Sequence, residues 1–169
     1  MADNETNITD EEAVELIGME KRFMDSELHS IPLPACNREA EYDLISEDCT
    51  ERFVLDVGCG FVEFKIKEQL RSKRVTHPLI RLDTYPRARH VNPDGETITG
   101  PHLHIYRDGT SAWAYPVPAD NFSDLKNPSQ TLYDFLTYCN IRHNIDIQTK
   151  LVRLWPQFNP ISYRHIWRG

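Results

Sequence analysis

The residues best suited to chemistry lie close together in the middle of the sequence. Residues 101–117 read PHLHIYRDGTSAWAYPV, and His102 and His104 stand two positions apart within them. On a β-strand that spacing puts both imidazoles on one face, where they can ligate a metal or pass protons. Asp108-Gly109 is the natural turn of a two-residue hairpin, because both central positions of a type I′ turn need φ > 0. Arg107 then pairs with Thr110. A regular register sets Tyr106 against Ser111, His104 against Trp113 and His102 against Tyr115. His102, His104, Tyr106, Trp113 and Tyr115 are therefore expected on one face, and Leu103, Ile105, Ala112 and Ala114 on a core face.

Other polar groups could join the histidines: Arg81 and Asp83 from an earlier strand, His90 and Asp94 from a long loop. Two chemistries fit. In one, His90, His102, His104 and the Asp94 carboxylate form a divalent-metal set. In the other no cofactor is needed. His102 or His104 is the general base, Arg81 stabilises a pentavalent phosphate, Tyr106 positions the ligand, and Asp83, His90, Trp113 and Tyr115 line its site. Stacking of a base on Tyr106 or Trp113 makes RNA the expected ligand. A bland account stands beside both: a histidine pair hydrogen-bonded to backbone, among aromatics that strands favour anyway. An exposed aromatic face can equally bind a protein.

Composition narrows the classes. A chain of 169 residues suits one domain with a sizeable core, with ordinary apolar (40%) and charged (27%) shares. No apolar run is long enough to cross a membrane and no basic-then-apolar leader opens the chain, so a cytoplasmic location is expected. Cys36, Cys49, Cys59 and Cys139 form no CxxC pair, which points to free thiols rather than zinc. The net charge of −7 argues against a broad non-specific nucleic-acid surface. The acid excess sits in the first 50 residues, while residues 64–89 are locally basic, with Lys65, Lys67, Arg71, Lys73, Arg74, Arg81, Arg87 and Arg89.

The elements that must position these groups read as α+β. Residues 1–50 are expected to hold a helix and an irregular acidic segment. Thr9 caps the helix and Glu12 completes a capping box; its stripe runs to about residue 26. Pro32 and Pro34 suggest a loop. Residues 51–118 are expected to form an antiparallel meander of about five strands. RFVLDV (52–57) is followed by a tight turn at Gly58-Cys59-Gly60, then by 61–71 and 77–84, and the hairpin supplies the last two strands. Residues 85–100 read as a loop with a turn at Asn92-Pro93-Asp94-Gly95. Residues 119–169 are expected to hold a C-terminal helix with Pro128 near its start and Leu132, Phe135, Leu136 and Cys139 on its buried face. It should lie on the Leu103/Ile105 side of the sheet. Residues 145–154 read as a helix or a last strand, before an aromatic tail with Trp155, Phe158, Tyr163 and Trp167.

Three resemblances follow from quoted motifs. VLDVGCG (54–60) resembles the first motif of S-adenosylmethionine-dependent methyltransferases, with LIRLD (79–83) near the family's second strand. The resemblance implies that Asp56, Gly58 and Gly60 line the cofactor loop and that Asp83 holds the ribose. Phe61 departs from the pattern, as do the strand-like run after it and the short remaining chain. PHLHIYRD resembles the His-x-His-then-acid motif of cupins, without their glycine spacing or later histidine. The run Arg81-Leu82-Asp83, Asn92-Pro93-Asp94-Gly95 and Pro101-His102-Leu103-His104-Ile105-Tyr106 resembles a family of small uncharacterised bacterial proteins, mostly from Gram-positive genomes and mobile elements. It is more distantly similar to toxins of toxin–antitoxin modules, which implies ribonuclease activity.

The first expectation for function is thus a bacterial mobile-element or defence-related protein whose histidine face binds or cleaves a phosphate-bearing ligand, RNA above all. The alternatives are an acidic inhibitor that binds a host defence complex, as anti-CRISPR proteins do, and a divalent-metal-dependent enzyme on the same histidines. The partner is expected to be RNA or protein (an antitoxin or a host complex), with no membrane.

Overall fold

The first helix, α1 (Asp10–Gly18), begins where the capping box places it. The Thr9 hydroxyl accepts from the Glu12 amide at 3.1 Å and the Glu12 carboxylate from the Thr9 amide at 2.8 Å. The computed structural model describes residues 8–34, 37–60 and 66–148. After α1 come β1 (Lys21–Phe23), β2 (Ser30–Pro32), β3 (Arg38–Ser46), β4 (Arg52–Cys59), β5 (Ile66–Ser72) and β6 (Ile80–Asp83). A short ribbon of β7 (Arg89–Val91) and β8 (Thr97–Thr99) precedes the hairpin β9 (His102–Arg107) and β10 (Thr110–Pro116). The second helix α2 (Pro128–Tyr138), β11 (Ile141–Arg142) and β12 (Asp146–Gln148) complete the described order.

Eight strands form one sheet in the order β10-β9-β6-β5-β4-β3-β1-β11, antiparallel except where β1 meets β11; β7-β8 and β2-β12 form separate pairs. The fold is α+β with a large, mostly antiparallel sheet. The expected five strands are contiguous within it as β4-β5-β6-β9-β10, but the sheet continues beyond them. Residues 1–50 are not a helix and a loop: α1 stops at Gly18, Phe23 lies on β1, and β2 and β3 occupy much of what the prolines suggested was irregular. The alternation Glu39, Glu41, Asp43 against Ala40, Tyr42, Leu44 on β3 carries the strand period despite its acidity.

The expected turn at Gly58-Cys59-Gly60 is also corrected. Gly58 and Cys59 belong to β4, opposite Lys67 and Ile66 on one side and Glu39 and Arg38 on the other. A strand with antiparallel neighbours on both sides has no cofactor loop at Gly58, so the methyltransferase resemblance is overturned. Residues 61–65, Cys36 and the aromatic tail lie outside the described residues.

Strand alternation divides the sheet into two faces. Phe53, Leu55, Leu70, Ile80, Leu82 and Leu103 are buried on one, together with Leu132, Phe135 and Leu136 of α2 and Ala13 and Leu16 of α1. Each of the leucine, isoleucine and phenylalanine side chains contributes about 1.5–3 kcal/mol through burial. The helix α2 starts as expected: Asn127 accepts from the Ser129 and Gln130 amides and Pro128 follows it. It packs on β5 and β11 rather than across the hairpin.

One polar residue ties both helices to the sheet. The fully buried Lys21 ammonium donates to Ile17 O and Met19 O at the end of α1, both at 2.7 Å, and to Cys139 O at the end of α2 at 3.0 Å. It also lies 4.9 Å from the centre of the Phe53 ring. A cation here meets the negative ends of two helix dipoles at once.

Candidate metal centre

The other face of the sheet is polar. Glu39, Glu41 and Asp43 on β3, Asp56 on β4, and Lys67, Gln69 and Arg71 on β5 share it with Arg81 and Asp83 on β6 and with His102 and His104 on β9. The β6–β9 ladder pairs Arg81 with His104 and Asp83 with His102. Four chemical groups are thereby gathered from two adjacent strands.

The hairpin turn follows expectation, with Asp108 at φ +53°, Gly109 at φ +74° and Arg107 opposite Thr110. Beyond the turn the register slips: Ser111 and Ala112 together stand opposite Tyr106, so Trp113 pairs with Ile105, Ala114 with His104 and Tyr115 with Leu103. One extra residue in a strand sends every later side chain to the opposite face. Trp113 and Tyr115 are therefore removed from the histidine face and Ala114 is brought onto it, a correction to both expected sets. Arg107 lies over the Trp113 ring at 4.2 Å and donates to the Tyr115 hydroxyl at 3.2 Å.

The bulge also frees two carbonyls. Ser111 O accepts from His104 Nδ1–H at 3.1 Å, and Ala112 O accepts from His90 Nε2–H at 2.6 Å. His102 Nδ1–H donates to Gly100 O at 2.8 Å. Gly100 has φ +85° where the chain leaves the β7–β8 ribbon for β9. Carbonyls only accept, so Nδ1 carries the proton in both His102 and His104, and each Nε2 is left as an electron-pair donor. The two Nε2 atoms are 3.1 Å apart and lie 3.7 Å (His102) and 3.4 Å (His104) from Asp83 Oδ2. Asp83, His102 and His104 form the one metal-capable group of three found among the described residues.

Electrostatics reinforce the geometry. Burial alone would raise the Asp83 carboxyl, but a hydrogen bond from His104 and the charge of Arg81 outweigh it and hold it at about 2, a balance that requires a proton or another positive charge between Asp83 and the two Nε2 atoms. Arg81 holds Asp83 Oδ2 through Nε at 3.2 Å and a terminal nitrogen at 3.1 Å. Burial pushes the His104 imidazole below its ordinary value, which favours its neutral form. Lone pairs and a carboxylate then converge on one point, an arrangement that needs a positive charge at its centre. Ligands about 2.1 Å from an ion lie about 3.0–3.4 Å from one another, close to these separations.

The β7–β8 ribbon roofs the histidines, which are 2% and 4% exposed. Its His90 ring is 4.6 Å from that of His104 and 5.8 Å from that of His102. Asn92 anchors the roof: its amide donates to Ala114 O at 2.9 Å and its carbonyl accepts from the Ala114 amide at 2.8 Å. Asn92→Ala is expected to cost about 1–3 kcal/mol through the two unpaired backbone groups, and to speed hydrogen exchange at the Ala114 amide.

The remaining expected residues take other places. Asp94 accepts from the Glu96 amide in the Asn92–Gly95 turn and is outside the cluster, so Asp83 rather than Asp94 supplies the carboxylate. His90 stands beside the pair as a ring contact, its Nε2–H spent on Ala112 O. Tyr106 is buried in the core, with its hydroxyl donating to Ile8 O at 3.3 Å. Four residues of the local basic stretch are paired within the chain. Arg71 is held by Asp56 (2.6 Å) and Glu41 (2.9 Å), Lys73 by Asp43 (2.6 Å), Arg74 by Glu51 (3.0 Å) and Arg81 by Asp83.

No helix among the described residues is long and apolar enough to cross a membrane. Neither the curated proteins nor the solved structures contain a match to the chain. A family model does match, over residues 8–141, which takes in both helices, the eight-stranded sheet and all of Asp83, His102 and His104. In line with the uncharacterised family that the central motifs resemble, the chain belongs to a family of unknown function, DUF6978.

Proposed function

We propose that the protein is a metalloprotein. In this reading Asp83, His102 and His104 hold a first-row divalent cation, and the ion serves a reaction on a small polar substrate. The observation that carries the reading is the geometry of the pair: two Nδ1 atoms set against backbone carbonyls, and two Nε2 atoms 3.1 Å apart beside a carboxylate. Backbone acceptors behind ligating imidazoles are the usual orienting partners of metal-binding histidines. Two imidazoles and one carboxylate suit zinc, iron(II) and their neighbours, and leave coordination positions for water or substrate. Such an ion, when bound, polarises an oxygen ligand or lowers the pKa of its water. Arg81 fixes the carboxylate and His90 packs against the His104 ring.

The RNA-cleaving reading draws less from this site. It asks Arg81 to leave Asp83 for a phosphate, and of the aromatics expected to stack bases Trp113 lies on the other face and Tyr106 is buried with its hydroxyl on Ile8 O. The acidic-inhibitor reading uses none of the geometry around the histidines.

Titration of the purified chain with Zn²⁺ and Co²⁺ tests the proposal. One equivalent should bind, and Asp83→Asn and His104→Gln, which remove direct ligands, should each weaken binding by more than about 100-fold, the upper end of what a lost outer-shell partner costs, with an unchanged circular dichroism spectrum. The rival is a proton shared between the two Nε2 atoms. Absence of Zn²⁺, Co²⁺ and Fe²⁺ binding at stoichiometric concentrations would reject the metal in its favour.

A further inference from the structure

β3 outruns its neighbour on one side. β4 pairs with it over residues 38–45, whereas β1 meets only Leu44, Ile45 and Ser46. The Met24 amide adds a last bond to Asp43 O at 3.0 Å. The chain then turns away, with the Asp25 carboxylate accepting from the Glu27 amide at 2.9 Å. Among the described residues no strand pairs with residues 38–42 on that side. Backbone groups alternate in direction along an antiparallel strand. Asp43 O points toward β1, and the Ser46 amide points toward Glu51 O on the β4 side. The amides and carbonyls of Glu39 and Glu41 therefore face outward, as a template for another strand. A groove of about 480 Å³ adjoins this edge. Phe23, Met24, Leu28 and Tyr42 supply its apolar lining, and Asp25, Glu41 and Asp43 its polar part. The Phe23 and Tyr42 rings meet edge-on at 6.1 Å. Met24 is 40% exposed, and a methionine adapts to varied apolar shapes.

Charge says what belongs there. Glu39, Glu41 and Asp43 stand exposed along β3. Arg71 and Lys73 engage Glu41 and Asp43, while among the described residues no cation engages Glu39 or Asp25. A second copy of the chain fits poorly. Antiparallel pairing about Ala40 would set Glu39 against Glu41, like charges opposed across a ladder, between two chains each of net charge −7. A strand with Lys or Arg at alternate positions reverses the sign of those contacts. Its intervening side chains fall on the Tyr42 side, where the groove takes apolar groups. We propose that the open edge of β3 binds an extended segment of a partner protein, in which Lys or Arg alternates with large apolar residues, as an added strand. The backbone bonds to Glu39 and Glu41 supply affinity, and the groove and the carboxylates supply selectivity.

The test uses the full chain and two end-capped peptides, KVRLKVR and EVELEVE, at up to about 1 mM, the weak end of specific recognition. KVRLKVR should bind and slow hydrogen exchange at the Glu39 and Glu41 amides at least about tenfold. The Ala40 amide faces β4 and should not change. EVELEVE should bind at least about tenfold more weakly. Glu41→Pro removes an outward N–H and leaves the β4 ladder intact, as proline does on an edge. It should keep the native urea midpoint and lose at least about tenfold in affinity for KVRLKVR. Met24→Lys, at an exposed position, should weaken that peptide as well. Equal binding by the native chain and both variants would overturn the proposal, as would exchange at Glu39 and Glu41 unchanged by KVRLKVR at about 1 mM. Slow exchange at those amides in the chain alone would also overturn it. Dependence of that protection on protein concentration would give the edge to a second copy, and independence would give it to another part of the same chain.

Discussion

Lys21→Met is expected to lower the free energy of unfolding by about 3 kcal/mol, read as a fall in the urea midpoint at constant slope. Methionine matches the length of the lysine stem and keeps the contact with Phe53, so packing changes little. What disappears is the one donor shared by Ile17 O, Met19 O and Cys139 O. A buried acceptor without a partner costs about 1–3 kcal/mol, and three are exposed to that cost together. Relief from burying an ammonium offsets part of it. Burial lowers the Lys21 pKa from 10.5 to about 8. Between those values the unfolded chain binds more protons than the folded one, so native stability rises with pH across that window. The variant should lack this alkaline rise. Equal pH profiles for the two proteins would show that the ammonium is not held as described.

Glu68→Met is expected to act in the opposite direction and to stabilise the protein by about 1–4 kcal/mol at pH 8, the range for replacing buried ionic groups with well-packed apolar ones. Glu68 lies on the core face of β5 between Val57 and Leu82. It is fully buried, and neither carboxylate oxygen has a hydrogen-bond partner among the described residues. Burial, and secondarily the charge of Asp134 on α2, push its pKa well above the ordinary value. The sign is the reverse of that for Lys21. The protonated form is the folded one, so its contribution is complete below the unfolded pKa of 4.5 and is lost as pH rises toward the folded value, with a slope of up to about 1.4 kcal/mol per pH unit. Urea midpoints at pH 5 and pH 8 should therefore differ more in the native chain than in Glu68→Met. A variant less stable at both pH values would show that Glu68 has a partner that matters.

The parts of the fold legible in the sequence are those written in local chemistry. Thr9 with Glu12, Asn127 with Pro128, and Asp108-Gly109 each specify a cap or turn within four residues, and each stands where expected. His-x-His on a strand also placed the two imidazoles together. The remainder depends on pairings that no local signal records. Asp83 is nearer to His102 in space than Asp94 because β6 pairs with β9 across the excursion of the β7–β8 ribbon, while sequence distance favours Asp94. The bulge at Ser111-Ala112 carries no glycine; its local support is a 3.2 Å hydrogen bond from the Ala112 amide to the Thr110 hydroxyl. That single slip moved Trp113 and Tyr115 to the other face and created the carbonyls that orient His90 and His104. β3 was hidden by the prolines before it. Lys21 reads as an ordinary charge until two helix ends converge on it.

The side chains that roof the histidines have a second consequence, for how the molecule meets other chains. β10 ends the eight-stranded sheet, and its outward backbone groups would ordinarily invite a foreign strand. Here they are consumed. Thr110 takes the Ala112 amide, His90 takes Ala112 O, Asn92 takes both groups of Ala114, and Pro116 has no amide to offer. The device that positions the imidazoles is also a guard against edge-to-edge aggregation. A change at Asn92 would therefore open the centre and uncover an adhesive edge in one step, so loss of solubility in that variant would arise from the same two hydrogen bonds as loss of the site.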